Sequence, residues 1–262
     1  MNYGCEYNIN KLNNEQRVKH SETISLLTQA HETLINVNNN LKSDRLVDAN
    51  ILLRSAFEYI MMGMMIQFDN KVYDEFITLG IERDKTKVCK IIGKFRTHMN
   101  EICSEIYQNI NRKEKLKILT ELYDKLCNFT HSTLIVSTMI EIKSSKEKEI
   151  VKMLMFQNYY FLKMLLFYCL KYFTSDKKHY LELQNIGFTY MFMLLEVNNK
   201  IKEYNIDFSK YNDFLYYDRN VEYFEKNKKE SIKIKEELLE LSEDLKNNEN
   251  TFIKELTMFI TK

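Results

Sequence analysis

The stretch LVDANILLRSAFEYIMMGMMIQF, Leu46 to Phe68, is apolar nearly all the way round a helix and holds only three charged residues, Asp48, Arg54 and Glu58. A helix that is hydrophobic on every side belongs in the interior of a bundle, with other helices around it. Upstream, Val18, Ile24, Leu27, Ala30, Leu34 and Val37 recur at helical spacing, predicting an amphipathic helix over about 14–37. Asn38-Asn39-Asn40 then predicts a turn, and Ser43 an N-cap for the central helix. Downstream, Asp69-Asn70 breaks the pattern and caps a short helix to Leu79, which Gly80 ends. Helices are further predicted from about Asp84 to Ile110 and from Arg112 to Phe129, the second with Leu116, Leu119, Leu122, Tyr123 and Leu126 inward. Thr130 to Ile142 suits a strand as well as a helix. A helix is the expectation, because a lone strand would leave backbone groups unpaired. After a polar linker, Lys143 to Lys148, two aromatic-rich helices are expected at about Glu149–Phe173 and Asp176–Tyr204.

Composition points the same way. The 262 residues include no Pro and 5 Gly, where average usage would give roughly 13 and 18. So few turn-formers exclude a sandwich or a barrel. The fold expected is all-α, an antiparallel multi-helix bundle. Residues 1–204 form the main bundle, and 205–262 a charged C-terminal helical appendage packed on it. Within the appendage Ile234, Leu238, Leu241 and Leu245 alternate spacings of four, three and four, too short a run for a coiled coil.

The 38 Lys+Arg nearly balance 37 Asp+Glu, so no whole-molecule field draws in a polyanion. Any nucleic-acid site must be local. The five cysteines are odd in number and form no C-x-x-C pair, which fits a reducing compartment and a cytoplasmic protein. The first residues carry no apolar signal region. The uncharged run Cys127 to Ile140 is shorter than a span of about 18 residues, and Lys163 and Lys171 interrupt the greasy Met153–Phe173 segment. No membrane partner is expected.

Phosphate-cradling glycine loops, H-E-x-x-H and G-x-S-x-G are all absent. No Glu precedes a His by three residues, as a di-iron bundle would require. Neither a metal nor another cofactor is therefore expected. Two segments carry chemistry. In the central helix Asn50, Arg54 and Glu58, four residues apart, share one face. They read either as a structural ion pair or as a polar stripe facing a cavity, with Arg54 stabilising an anion and Glu58 orienting a neighbour. Further on, LYDKLCNFTHST, Leu122 to Thr133, brings Asn128, Thr130, His131 and Ser132 together where a helix meets a break. His131 suits general acid–base work near neutral pH. Equally, the hydroxyls can cap the next helix while His131 bonds a carbonyl.

The early Leu-Leu-Arg-Ser-Ala-Phe-Glu helix and the later Leu-Tyr-Asp-Lys-Leu-Cys-Asn-Phe-Thr-His-Ser turn together resemble the all-helical HEPN-like proteins, including abortive-infection and toxin-type members. The resemblance covers about residues 40–142 and implies a HEPN-like core with additional C-terminal helices. The family signature is Arg, four to six residues, then His. Here Lys125 stands six before His131; it keeps the charge but lacks the planar fork that suits phosphate, a role Arg54 can take from the neighbouring helix. The resemblance implies metal-independent RNA cleavage in a toxin or phage-defence setting. His131 would move protons, Arg54 and Lys125 would stabilise phosphorane charge, and Asn128 would position a phosphate oxygen. It implies a homodimer as well, with the cleft between protomers. Arg112, Lys113, Lys115 and Lys117 can track an RNA backbone, although Glu114, Glu121 and Asp124 dilute that face. The alternative is a non-catalytic helical module that contacts a protein partner such as an antitoxin, effector or scaffold.

Overall fold

A computed structural model describes residues 13–68, 70–71, 73–74, 121–127, 144–170, 173, 177–207, 229, 232–233 and 236. Asn13 opens the first helix. Its side chain accepts the Gln16 backbone N–H at 2.8 Å, while the Gln16 side chain accepts the Asn13 N–H at 3.1 Å, so two otherwise unmet donors satisfy each other's residue. The helix, α1, spans Asn14–Lys42. It does not stop at the asparagine triplet: the predicted turn at Asn38–Asn40 lies inside the helix, and the Asn40 amide bonds back to the Asn36 carbonyl at 3.0 Å. Ser43 is correspondingly the C-cap of α1 rather than the start of the next helix. Reversal comes one residue later. Asp44 takes a left-handed conformation (φ 58°) and the Arg45 N–H closes on the Asn40 carbonyl at 2.9 Å.

The central helix, α2, spans Leu46–Phe68 as its sequence predicts. Helical residues 121–127, α3, follow, then α4 (Ser145–Leu170) and α5 (Lys177–Tyr204). The described residues are helical throughout apart from short turns, so the all-α class is observed. α4 starts four residues earlier than expected, within the predicted linker, because Ser144 caps it through its hydroxyl and carbonyl. At its far end α5 repeats the closure of α1: Asn205 is left-handed (φ 51°) and Ile206 N–H bonds the Ile201 carbonyl. The predicted helices 84–110 and 130–142, and nearly all of the 205–262 appendage, lie outside the described residues.

α1 and α2 make the most extensive pairing, and Gly63 of α2 lets the two approach: a methyl there would meet Leu27 and the Thr23 carbonyl at 3.4 Å. Contacts at matched heights fix the directions. Thr23 meets Gln67 and Lys19 meets Asn70, so α1 and α2 are antiparallel. His20 packs against Phe173 at one end, the rings tilted to each other, while Asp44 pairs with Lys148 and Lys152 at the other, so α4 is antiparallel to α1 and parallel to α2. α5 returns along α4, with Phe161 against Tyr190 and Tyr204 bonding Glu149.

The core runs through the four long helices. Tyr190, Phe57 and Phe161 are its largest enclosed side chains, filling space that Trp would take elsewhere. The inner line of α1 differs from expectation at its start: His20 and Thr23 are buried where Val18 and Ile24 were predicted, and Val18 is 49 % exposed. Among the described residues no helix is long and apolar enough to cross a membrane.

Candidate functional site

The apolar girth of α2 is broken on one side by Asn50, Arg54 and Glu58, and this side meets α3. Arg54 Nε donates to Glu58 Oε1 at 3.0 Å, and the Tyr123 hydroxyl donates to the same oxygen at 3.2 Å. Tyr123 is held for this by its ring, which stacks on Phe57 of α2 with centroids 5.3 Å apart and planes 24° from parallel. Cys127, one turn beyond Tyr123, hydrogen-bonds with it and lies within electrostatic reach of Arg54. Two segments 65 residues apart in the chain thus share one polar cluster. The sequence offered the stripe on α2 and the helix of Tyr123 as separate features. Tyr123 reads there as a core residue only, because nothing in its spacing tells that its hydroxyl ends on Glu58.

The electrostatics of the cluster follow from partial burial. Burial, the largest influence on Arg54, disfavours its charge. The Glu58 carboxylate outweighs that and holds the guanidinium above its usual proton affinity, so it is a permanent cation. Burial pushes the Tyr123 phenol well above its ordinary value, with Cys127 and Glu58 adding to the effect. Tyr123 is therefore a hydrogen-bond donor at any physiological pH. Burial also raises the Cys127 thiol, against the opposing influence of Tyr123 and Arg54. A thiol held protonated is a poor nucleophile, so cysteine chemistry does not belong to this cluster.

The Arg54–Glu58 pair contributes little to stability. Its side chains are 22 % and 30 % exposed, and with Arg preceding Glu it has the weaker order of an i, i+4 pair, worth about 0.2–0.5 kcal/mol at most. What the pair does achieve is orientation: Nε is committed to Glu58, and the Glu58 oxygen that receives it also accepts the Tyr123 hydroxyl.

Of the residues singled out from the sequence, Arg54 and Glu58 are together here. Lys125 lies two positions from both Tyr123 and Cys127, about 160° or more round α3 from the face that meets Glu58, and is half-buried. Asn128, His131, Arg112, Lys113, Lys115 and Lys117 lie outside the described residues. Among the described residues, no three His, Cys, Asp or Glu side chains form a group fit to hold a metal ion. Compared with family models, curated proteins and solved structures, the chain finds no match in any of the three.

Proposed function

We propose that this chain is a HEPN-like, metal-independent endoribonuclease or toxin module acting in phage defence. The observation that carries the reading is the bond from Tyr123 to Glu58: the described part of the later segment, residues 122–127, meets the early helix on which the resemblance also rests. His131, the acid–base group, follows Cys127 by four residues in the sequence. In the reaction the 2′-oxygen of RNA attacks the adjacent phosphorus and its proton passes to a base. The bond from phosphorus to the 5′-oxygen breaks, and that oxygen takes up a proton. His131 serves as base or acid, Arg54 stabilises the charge that develops on the phosphorane, and Asn128 positions a phosphate oxygen. Arg112, Lys113, Lys115 and Lys117 follow the RNA backbone, and Lys125, on the side of α3 opposite the Glu58 face, adds to the positive charge around it. The requirement for a 2′-hydroxyl makes RNA the substrate, not DNA.

The test incubates the purified chain and its His131→Ala variant with RNA in the presence of a chelator. Cleavage by the parent that leaves 2′,3′-cyclic phosphate and 5′-hydroxyl ends, and is at least about 100-fold slower in the variant, is the expected result. Equal cleavage by both, or cleavage that needs added metal, refutes it. A second reading has its own observation. Arg54, Glu58 and Tyr123 satisfy one another, as a structural cluster would, and a helical module that binds a protein partner needs no more. Absence of cleavage with intact folding favours that reading.

A further inference from the structure

One antiparallel register runs the length of the seam between α1 and α4. At one end Asp44 bonds Lys152 at 2.6 Å and Lys148 at 3.4 Å. In the middle His31 of α1 lies within electrostatic reach of Lys163. At the other end His20 packs on Phe173 with centroids 5.0 Å apart, and the Phe173 N–H bonds the carbonyl of Leu170, where α4 stops. The intervals agree: eleven residues separate His20 from His31, and ten separate Lys163 from Phe173. The two halves of the seam differ in kind. Opposite charges join the Asp44 half, whereas imidazoles occupy the other, His20 buried and His31 half-buried.

A neutral imidazole suits such a place and a cation does not. Burial lowers the proton affinity of His20; at His31 burial does so first and Lys163 adds to it, with Glu32 of α1 opposing. The carboxylates Glu15, Glu22 and Asp74, towards the His20 end, act on Tyr73, and the Lys19 ammonium lies over the Tyr73 ring. Two protons taken up along this half would enclose one cation beside Phe173 and set another against the Lys163 ammonium. The far end is spared. The hydrogen bond from Lys152, with the charges of Lys152 and Lys148, holds the Asp44 carboxyl below its ordinary range, so those ion pairs outlast mild acid. The start of α5 is fastened to the imidazole half of the seam: His179 Nε2 lies 2.7 Å from the Phe167 carbonyl, and the two rings stack.

We propose that this seam is an acid-operated latch, in which protonation of His20 and His31 frees the second half of α4 and the start of α5 from α1 while the Asp44 end holds as a hinge. In the opened seam the two histidines return towards their ordinary value of 6.5, and in the docked seam they titrate lower. Docking is therefore complete above about pH 6.5 and weakens as pH falls through the lowered values. The latch is independent of whether the chain cleaves RNA.

Amide hydrogen exchange of the full chain at about pH 7.5 and about pH 5.5, corrected for intrinsic exchange rates, locates the opening. A freed helical end of this length frays in water. Residues 163–170 and 179–186 are therefore expected to lose protection at least about tenfold between the two conditions, since each histidine can contribute up to about that factor one pH unit below its free value. Protection in α2 and beside Asp44 is expected to change less than about threefold. In the double variant His20→Gln, His31→Gln, which cannot take up the protons, the loss at residues 163–170 falls to that of α2. A second measurement leaves both histidines in place and decides even where the double variant does not fold. Removing the cation in Lys163→Gln is expected to raise the pH at which His31 titrates, followed by NMR of its ring protons. Acid loss spread evenly over the helices, a loss unchanged in the double variant, or His31 titrating in Lys163→Gln where it does in the parent overturns the proposal.

Discussion

Tyr159 of α4 is 8 % exposed, and burial, with Tyr160 beside it, pushes its phenol from 10.0 up to about 12. The folded chain therefore keeps a proton that the unfolded chain gives up. Stability from this group is complete below about pH 10 and is lost as pH rises from there through about 12. Tyr123 is shifted in the same direction, so its hydrogen bond to Glu58 persists over the range in which RNA cleavage would be assayed. Denaturant unfolding of the parent and of Tyr159→Phe at pH 8 and at about pH 11 checks the sign. The parent is expected to lose more stability than the variant over that interval; parallel losses would show that Tyr159 titrates normally in the fold.

The helices show where local preference yields to packing. Three consecutive asparagines cost about 2 kcal/mol relative to Ala in a helix interior, and they predict a turn. Against that, Val37 and Leu41 are both fully enclosed, each worth about 1.5–3 kcal/mol when buried. Burial wins, and α1 runs on for another turn. Polar residues likewise mask the start of α4, where Ser144 caps the helix and Lys148 and Lys152 reach Asp44 at 3.4 and 2.6 Å. Within α4, Gln157 is fully buried and neither its nitrogen nor its oxygen has a hydrogen-bond partner. Replacing such an amide with an apolar side chain of similar size relieves the desolvation cost. Gln157→Leu is expected to be neutral or to raise the unfolding free energy by about 1 kcal/mol in urea titration. A loss of more than about 1 kcal/mol would mean that this amide supports the bundle.

Across the whole molecule, the all-helical class was readable from the absence of proline and the girth of α2, because a chain poor in turn-formers has few other ways to bury so much apolar surface. The buried Leu122, Tyr123 and Leu126 of α3 follow from spacing alone. The buried His20 and Thr23 do not, since spacing marks which face turns inward but not that a polar residue is accepted there beside Phe173 and Gln67. The site was half legible: Arg54 and Glu58 announce themselves as charges on an apolar helix, whereas Tyr123 joins them only through a contact between distant segments. Whether that junction is a catalytic unit with His131 is decided by the rate of RNA cleavage, in chelator, for the parent, Arg54→Gln, His131→Ala and the double variant, each first shown to be folded by its thermal melt. Groups that act as one unit lose function together, so each single variant is expected to be nearly as impaired as the double. Single variants as active as the parent, or losses that simply multiply, would contradict a shared site.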